Sequence, residues 1–243
     1  MKKTFILALM LPMFSIAAFA QNLQFHYDFG KTISSEKEAG HQDVTVTYEK
    51  FSADKLGSWF YFVDLDLDKN GVMGAYTEIS REFNIGKQGF AAHVEYDGGM
   101  NRLGSFQTAG LAGIAWNGHN ADFSTTYSIQ AMYKQFFKQY NNIDGYASFQ
   151  LTGVWSTAFL DGKLTFAGFA DIWLGKNSKS NGGVKELTDC LVFLAEPQLW
   201  YNISPKISVG TEVELSNNFI YRATDGNNKG FFVNPTLAVK FNL

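Results

Sequence analysis

The sequence predicts an all-β fold, a twelve-stranded antiparallel transmembrane β-barrel of the bacterial outer membrane. Apolar and polar residues alternate with a period of two, which is the pattern of strands with two unlike faces. Short connections alternate with long ones, and the chain opens on a secretory signal. The composition agrees, because 46% hydrophobic and 16% aromatic residues coexist with a mean hydropathy of −0.12. Such a balance requires apolar and polar residues to be finely interleaved.

The first twenty residues have the features of a signal peptide. Lys2 and Lys3 precede an apolar run, and Ala18-Phe19-Ala20 has the small-x-small pattern of a signal-peptidase site. We expect cleavage before Gln21, with residues 21–243 forming a single barrel domain. No later apolar run is long enough for a transmembrane helix, so strands must provide any membrane crossing.

Twelve segments place apolar residues on one face and polar residues on the other. In LQFHYDF, for example, Phe25 lies on the face opposite His26 and Asp28. Pro197 and Pro235 cannot donate to a strand ladder, so we expect them at strand ends or bulges. The alternation predicts strands near residues 22–29, 44–52, 58–66, 72–84, 89–97, 109–116, 122–134, 144–156, 162–173, 189–201, 206–215 and 231–243.

The connections differ in length at the two ends of the predicted strands. Those after even-numbered strands are short, whereas most of those after odd-numbered strands are long and polar, such as 30–43, 174–188 and 216–230. This asymmetry is typical of outer-membrane barrels, in which short turns face the periplasm and longer loops lie outside. An even strand count also places both chain termini on the periplasmic side.

The bilayer determines which face of each strand is on the outside of the barrel and which is on the inside. Lipid offers no hydrogen bonds to the backbone, so every strand must be paired and the sheet must close. Apolar residues then contact lipid and polar residues line the lumen, the reverse of a soluble barrel. Lys50 and Arg81 fall on the lipid-facing parity, so we expect both near a rim, where a base costs little free energy, or a bulge that inverts the parity. Aromatic residues near strand ends favour the membrane version: Phe29, Tyr48, Trp59, Tyr96, Trp116, Tyr133, Trp155, Trp173, Trp200 and Tyr201.

Charge balance and rare residues argue against several functions. The chain has 20 basic and 23 acidic residues, a balance that argues against binding to nucleic acid. Its one cysteine, Cys190, cannot form a disulfide within the chain, and four scattered histidines do not make a metal set. We therefore expect no cofactor and no nucleic-acid partner, and a barrel that contacts outer-membrane lipid.

The polar parity predicts an acidic lumen. Carboxylates dominate the inward positions, with Glu196 and Glu214 among them, whereas inward bases such as Lys134 and Lys240 are few. Carboxylate rings favour neutral or cationic solutes over anions, and an aromatic ring beside a carboxylate can stack on a flat solute. The alternative is that these side chains only fill a narrow lumen. The candidate lumen and solute-binding residues are His26, Asp28, Glu49, Phe51, Asp64, Tyr76, Glu78, Glu82, Glu95, Phe169, Asp171, Trp173 and Glu212.

The stretch DLDLDKNGVMG at 64–74 resembles the start of a calcium-binding EF-hand loop. Asp66, Asp68 and Asn70 have the required spacing, but the loop position that should supply a bidentate Glu holds a threonine. The flanking segments also alternate as strands rather than as helices. We therefore predict a tight hairpin turn through Asn70 and Gly71, and we expect no metal site beyond a weak candidate at Asp66, Asp68 and Asn70.

Several patches resemble the Tsx family of nucleoside-specific outer-membrane channels. They are FHYDFG (25–30), VTVTYEKFSADKLGSWFYFVD (44–64), YTEISREFNIGK (76–87) and LTFAGFADIWLG (164–175), in the order and spacing of that family. The resemblance implies a twelve-stranded monomeric barrel for the passive, substrate-preferring diffusion of nucleosides. The chain also resembles a related group of outer-membrane barrels with no assigned activity.

Two other functional classes are compatible with the same alternation. A barrel-wall enzyme such as a lipid hydrolase needs a serine activated by a histidine, and the sequence has no G-x-S-x-G or H-E-x-x-H motif. A soluble periplasmic barrel that binds a ligand would have the two faces exchanged. The signal segment, the loop asymmetry and the aromatic residues favour a channel over both.

Overall fold

A computed structural model describes residues 19–34, 43–102, 104–139, 144–181, 184–220 and 228–243. These residues contain a short helix, α1 (Gly30–Ser34), and fourteen strands, and none of their helices has the length and apolarity of a membrane span. The strands are β1 (Phe19–Asp28), β2 (Val44–Ala53), β3 (Gly57–Asp68), β4 (Gly71–Ile85), β5 (Phe90–Asn101), β6 (Gly104–Ser105), β7 (Ala109–His119), β8 (Thr125–Phe136), β9 (Tyr146–Phe159), β10 (Leu164–Asn181), β11 (Val184–Ala195), β12 (Gln198–Ser204), β13 (Ile207–Asn217) and β14 (Phe231–Asn242). Residues 1–18 of the predicted signal lie outside the described residues, and cleavage before Gln21 stays a prediction.

The fourteen strands form one closed barrel with twelve strand positions. Neighbouring strands pair in antiparallel register, and β1 closes the barrel by pairing with β14. β11 and β12 together occupy one position, because both pair with β10 and with β13. β6 adds a two-residue pairing to β5 alone. The predicted twelve-stranded antiparallel barrel is therefore confirmed.

Pro197 interrupts the barrel strand that β11 and β12 share, as predicted. Opposite the break, Gly168 on β10 has a φ of 149°, and a Cβ at this position would lie 2.4 Å from the carbonyl oxygen of Glu196. The two backbones approach so closely here that only glycine fits. The break thus separates two segments that continue in the same direction along the wall.

Pro235 departs from the prediction, because it lies inside β14, opposite Val213, rather than at a strand end or bulge. Its carbonyl accepts a hydrogen bond from the Phe29 amide at 3.3 Å. In an antiparallel ladder the nitrogen and carbonyl of one residue face the same neighbour. The proline nitrogen therefore faces the chain just beyond the last residue of β1. The β1–β14 hydrogen bonding ends there, so the missing N–H of Pro235 costs little.

The two faces of the barrel wall have opposite polarity. On β1, Gln24 and His26 are 2% and 4% exposed, whereas Phe25 and Tyr27 are 42% and 58% exposed. The same contrast continues around the barrel, where exposed apolar residues include Ile79, Val94, Ile114, Ile129, Leu151, Ile172, Leu191 and Leu237. A soluble barrel would bury such residues inside. The chain is an outer-membrane barrel, as predicted.

The two ends of the barrel are built differently. Short turns at 54–56, 86–89, 120–124, 160–163 and 205–206 join strands at the end near the chain termini, which we call the turn end. At the other end, the predicted long loop 174–188 is wrong, because β10 and β11 continue through most of it as a paired hairpin. The predicted loops 30–43 and 216–230 lie partly outside the described residues.

A two-residue turn joins β3 to β4, which agrees with the predicted hairpin. The positive φ of 99° belongs to Gly71, and Asn70 keeps a negative φ. Asp68 Oδ1 accepts from the Asn70 amide at 2.6 Å, and Asp68 Oδ2 accepts from the Asn70 side chain at 3.1 Å. The Asp68 carboxylate therefore stabilises the turn itself.

Arg81 and Lys50 lie near the turn end of the lipid-facing surface, as predicted. The Arg81 guanidinium donates to Asp54 Oδ1 at 2.9 Å and lies 5.1 Å and 5.0 Å from the ring centroids of Trp59 and Phe83. Lys50 lies near the C-terminal end of β2, opposite Tyr61, and like Arg81 it belongs to the lipid-facing side of the wall. Both bases therefore avoid the middle of the apolar surface.

Candidate functional site

All the candidate lumen residues lie on the inner face of the barrel. Residues opposite each other on neighbouring strands lie on the same face of the sheet. The pairing register therefore identifies the inward-facing residues on each strand in turn. Asn22 lies opposite Glu49, and Phe62 lies opposite Glu78. By this register the inner face includes His26, Asp28, Glu49, Phe51, Asp64, Tyr76, Glu78, Glu82, Glu95, Phe169, Asp171, Trp173, Glu212 and Glu214. Glu196 lies in the break between β11 and β12 and has no register partner. Their contact with a solute stays a prediction.

The first group of interacting side chains, the Lys134 cluster, contains Lys134, Asp97, Gln150, Glu78 and Glu95. Lys134 Nζ donates to Asp97 Oδ2 at 2.9 Å and to Gln150 Oε1 at 2.7 Å. Lys134 and Asp97 are each 6% exposed. One oxygen of each of the three carboxylates lies within 4.8 Å of the other two. The ammonium therefore offsets part of the repulsion among carboxylates that water screens poorly.

A histidine connects the Lys134 cluster to the turn end. His93 Nδ1 lies 3.3 Å from Glu82 Oε1, and His93 Nε2 lies 3.1 Å from Glu95 Oε2. The other Glu82 oxygen accepts from Asn117 Nδ2 at 2.7 Å. An ionised carboxylate can only accept, so the imidazole satisfies both acids when both of its nitrogens carry hydrogen.

An aromatic ladder of Phe60, Phe62, Tyr76 and Phe106 runs beside the Lys134 cluster. Successive ring centroids are 6.1, 6.0 and 6.4 Å apart. The Tyr76 hydroxyl donates to Glu78 Oε1 at 2.8 Å, so the ladder meets the carboxylates directly. The other candidate aromatics are more scattered: Trp173 has its ring centroid 5.0 Å from Lys134 Nζ, Phe51 lies opposite Phe60, and Phe169 lies opposite Val154.

The second group, the Lys240 cluster, contains Lys240, Trp200, Gln198, Glu212 and His26. The Lys240 ammonium lies 4.0 Å from the Trp200 ring centroid. Trp200, one of the aromatic residues predicted near strand ends, is fully buried on the inner face of the barrel. Its indole donates to Gln198 Oε1 at 2.9 Å, and Gln198 donates to Glu212. His26 Nδ1 lies 3.7 Å from Glu212 Oε1.

Several candidate carboxylates have structural partners instead of joining a group. Asp28 accepts from the Gly30 amide at 2.7 Å and from Asn234 Nδ2 at 2.8 Å, which fixes the connection after β1. Glu49 accepts from Asn22, and Asp64 and Asp171 each accept from a threonine hydroxyl on the neighbouring strand. These contacts support the alternative that part of the lumen is filled by mutually satisfied side chains.

Several residues of these groups are absent from the predicted set. Asp97, Phe60 and Phe62 have the inward parity of Glu95 and Asp64, so alternation alone contains the signal for them. Alternation could not have identified Phe106, because this residue lies in the connection after β6 and not in a strand. The bond between Lys134 and Asp97 joins residues 37 positions apart, and strand alternation does not reveal such a pairing.

The carboxylates nearest to one another are not those of the weak metal candidate. In the described part of the chain, Glu78, Glu95 and Asp97 are the acids grouped closely enough to share a cation, with the oxygen ligands that hard cations prefer. Asp68 is engaged in its turn, and Asp66 accepts from a threonine on β2 at 2.9 Å. The structure therefore does not bring Asp66, Asp68 and Asn70 together as a ligand set.

A family profile described as Domain of unknown function (DUF5020) matches residues 20–243. The chain belongs to this family. No curated protein is significantly similar to this DUF5020 chain. The match covers nearly all of the barrel and leaves its activity open.

Solved structures are similar to the DUF5020 barrel in fold. NanC porin aligns with a TM-score of 0.57 at 12% identity, over 92% of this chain and 100% of the porin. LpxR from Salmonella typhimurium aligns with a TM-score of 0.46 at 6% identity, over 91% of this chain and 99% of LpxR. The Acinetobacter baumannii outer membrane protein Omp33 aligns with a TM-score of 0.39 at 12% identity, over 93% and 98% of the two chains. The likeness to NanC porin is one of fold, and the resemblance to Tsx channels stays a hypothesis.

Proposed function

We propose that this protein is a narrow outer-membrane channel for the passive, substrate-preferring diffusion of small neutral or cationic solutes, with nucleosides as the preferred class. In this proposal residues 1–20 are a cleaved signal peptide, and residues 21–243 act as a monomer. The passage is narrow because bulky inward side chains such as Trp200, Met132 and Gln24 are almost fully buried. Solutes of nucleoside size would have to thread between them.

The observation that carries the proposal is the junction of the aromatic ladder with the Lys134 cluster at Tyr76 and Glu78. A nucleoside has a flat face beside N–H and hydroxyl donors. The ladder offers ring surfaces for that face, and Glu78 and Glu95 offer acceptors for those donors. Binding sites commonly combine an apolar lining with a few placed polar groups in this way.

The charge of the inner face supports the selectivity. Carboxylates outnumber the lumen lysines Lys134 and Lys240, and Lys134 is already paired with Asp97. Such a lumen disfavours anions, so nucleotides should pass less readily than nucleosides. Sugars lack the flat face that the aromatic ladder would hold.

The histidine contacts favour a channel over a lipid hydrolase. A serine nucleophile needs a histidine within hydrogen-bond distance. In the described residues, the ring nitrogens of His26 contact Gln24 and Thr236, those of His93 contact Glu82 and Glu95, and His119 Nδ1 contacts the Asn120 carbonyl. The one hydroxyl among these partners, that of Thr236, lies in a residue that is only 8% exposed.

Planar-bilayer recording of the purified barrel tests the proposal. We expect a small conductance that nucleosides reduce in a saturable manner, whereas sugars and nucleotides at equal concentration leave it unchanged. Absence of conductance, or equal block by all three solute classes, would count against a nucleoside-preferring channel.

A pair of charge-neutralising variants locates the effect. Glu78→Gln removes an acceptor at the junction, so nucleoside block should weaken about tenfold, the loss typical of a hydrogen bond to a charged group. Asp144→Asn makes the same chemical change at an exposed position in the connection between β8 and β9, where the carboxylate pairs with exposed Lys138, and block should be unchanged. Equal effects of the two variants would remove the junction from the mechanism.

A further inference from the structure

The turn end of the barrel contains a cavity whose lining differs in charge from the rest of the lumen. This mouth cavity has a volume of about 510 Å³ and lies between the turn 160–163 and the turn 205–206. Its lining includes Lys163, Thr165, Asn202, Lys240 and Asn242. A volume of this size suits a small ligand.

Lys240 is the central cation of the mouth cavity. Its ammonium lies over the ring of the fully buried Trp200. Within the described chain, no side chain accepts a hydrogen bond from this ammonium or forms an ion pair with it. Glu49 and Glu212 act on this ammonium through space without an ion-pair contact, so its three hydrogens remain available to a ligand.

The neighbouring polar groups are held in place and have donors left over. Asn202 Nδ2 donates to the Gly162 carbonyl at 2.7 Å and to Thr165 Oγ1 at 3.0 Å. Because Thr165 Oγ1 accepts in that bond, its own hydrogen is available to an acceptor in the cavity. Asn242 Nδ2 uses one hydrogen on the Pro205 carbonyl at 3.0 Å and has a second.

We propose that the mouth cavity binds a small oxyanion, a carboxylate or a phosphate, through Lys240 and Lys163. The lining presents two ammonium groups, a hydroxyl and an amide against the single carboxylate of Asp161. Charge-assisted bonds from ammonium to oxyanion are among the strongest hydrogen bonds in proteins. The proposal goes beyond the channel function, since binding at the mouth does not require any solute to pass.

The position of the site determines from which side the anion arrives. Beyond Trp200 the lumen is acidic, with Glu212 hydrogen-bonded to Gln198 next to the indole. Carboxylates there repel an oxyanion, so the ligand enters and leaves through the turn end, which faces the periplasm in an outer-membrane barrel.

Calorimetric titration of the full chain in a neutral detergent tests the site. Inorganic phosphate and acetate are titrated separately, each against sodium chloride at the same ionic strength, and the two arms distinguish phosphate from carboxylate. We expect saturable binding of at least one of them with one ligand per barrel. No saturable binding of either anion would overturn the proposal.

Three lysine variants decide which groups bind the anion. Lys240→Gln should weaken binding about tenfold or more, and Lys163→Gln should weaken it by a smaller factor, because each removes a charge-assisted bond. Lys206→Gln is the matched control, since Lys206 is exposed in the adjacent turn and does not line the cavity.

The outcome is informative even if one variant does not fold. A heat-modifiable gel shift reports folding, and the exposed Lys163 carries the test if the Lys240 variant fails it. Unchanged binding in the folded Lys240 and Lys163 variants would overturn the proposal. So would an equal loss in the Lys206 variant, because it would indicate general attraction to a basic rim.

Discussion

Lys134 and Lys240 both project into an acidic lumen, yet their surroundings differ. Lys134 is 6% exposed and donates to Asp97 and Gln150 at 2.9 Å and 2.7 Å. Lys240 is less buried, lines the mouth cavity, and has the Trp200 ring as its close partner. One lysine is therefore part of the internal scaffold, and the other is the cation that we propose for ligand binding.

The difference shows how a barrel of this kind divides structure from function. A charge far from water must be paired, because an isolated buried ion costs several kcal/mol. A charge at a mouth can remain without a protein partner, since water and aromatic surface support it. Charge alone therefore does not identify a functional residue; its partners do.

The largest expected effect comes from removing the paired cation. Lys134→Met retains much of the side-chain volume but leaves the buried Asp97 carboxylate next to Glu78 and Glu95. We expect the free energy of unfolding to fall by about 3–5 kcal/mol, the usual consequence of breaking a buried ion pair. Urea unfolding in detergent micelles, followed by tryptophan fluorescence, measures it.

A second substitution separates the loss of the pair from the loss of packing. In the double variant Asp97→Asn with Lys134→Met, no unpaired charge remains at Asp97, so part of the lost stability should return. If the double variant is less stable than Lys134→Met alone, the charge pairing is not what stabilises this part of the wall.

A smaller effect is expected at the second lysine. Lys240→Gln removes a cation that has no ion-pair partner among the described residues, so unfolding should change by no more than about 1 kcal/mol, the scale of a cation–π contact. The same urea experiment compares it with Lys134→Met. Equal destabilisation by both variants would contradict the division into a structural and an available lysine.

The barrel itself could be predicted from the sequence because lipid imposes a simple pattern. Each of the twelve predicted segments overlaps one barrel strand, including 189–201, which covers the interrupted β11 and β12. The pattern failed at 174–188, where β10 and β11 extend as a polar hairpin. Beyond the apolar band there is no lipid to face, so the residues no longer alternate and the strand signal disappears.

The sequence predicts only which face of the strands carries the candidate site. Parity correctly placed Tyr76, Glu78 and Glu95 inward, but it could not show that Lys134 pairs with Asp97 while Lys240 remains unpaired. Those contacts depend on strand register around a closed barrel and on side-chain conformations. Both are set by many distant residues at once, which a local pattern does not contain.

Arg81 extends the comparison to a cation on the outer surface, and its expected effect is the smallest. It is 5% exposed and bonded to Asp54 in the turn 54–56. The hydrogen bond from Arg81, followed by those from the Leu56 and Gly57 amides, holds the pKa of the Asp54 carboxyl below its usual value. The folded state therefore favours the ionised form of Asp54.

The sign of the pH dependence follows from that lowered pKa. A carboxyl with a lower pKa in the folded state stabilises the protein above its unfolded pKa of about 3.9, and this contribution is lost as the pH falls through the folded value. Asp54→Asn should therefore lower the thermal midpoint in detergent at pH 7 by a few degrees or less, and the difference from the parent protein should be smaller at pH 3. Asp144→Asn, at an exposed ion pair, should show little difference at either pH. If Asp54→Asn lowers the midpoint equally at both pH values, the turn depends on the shape of the side chain rather than on its charge, and Arg81 has no ionic partner in solution.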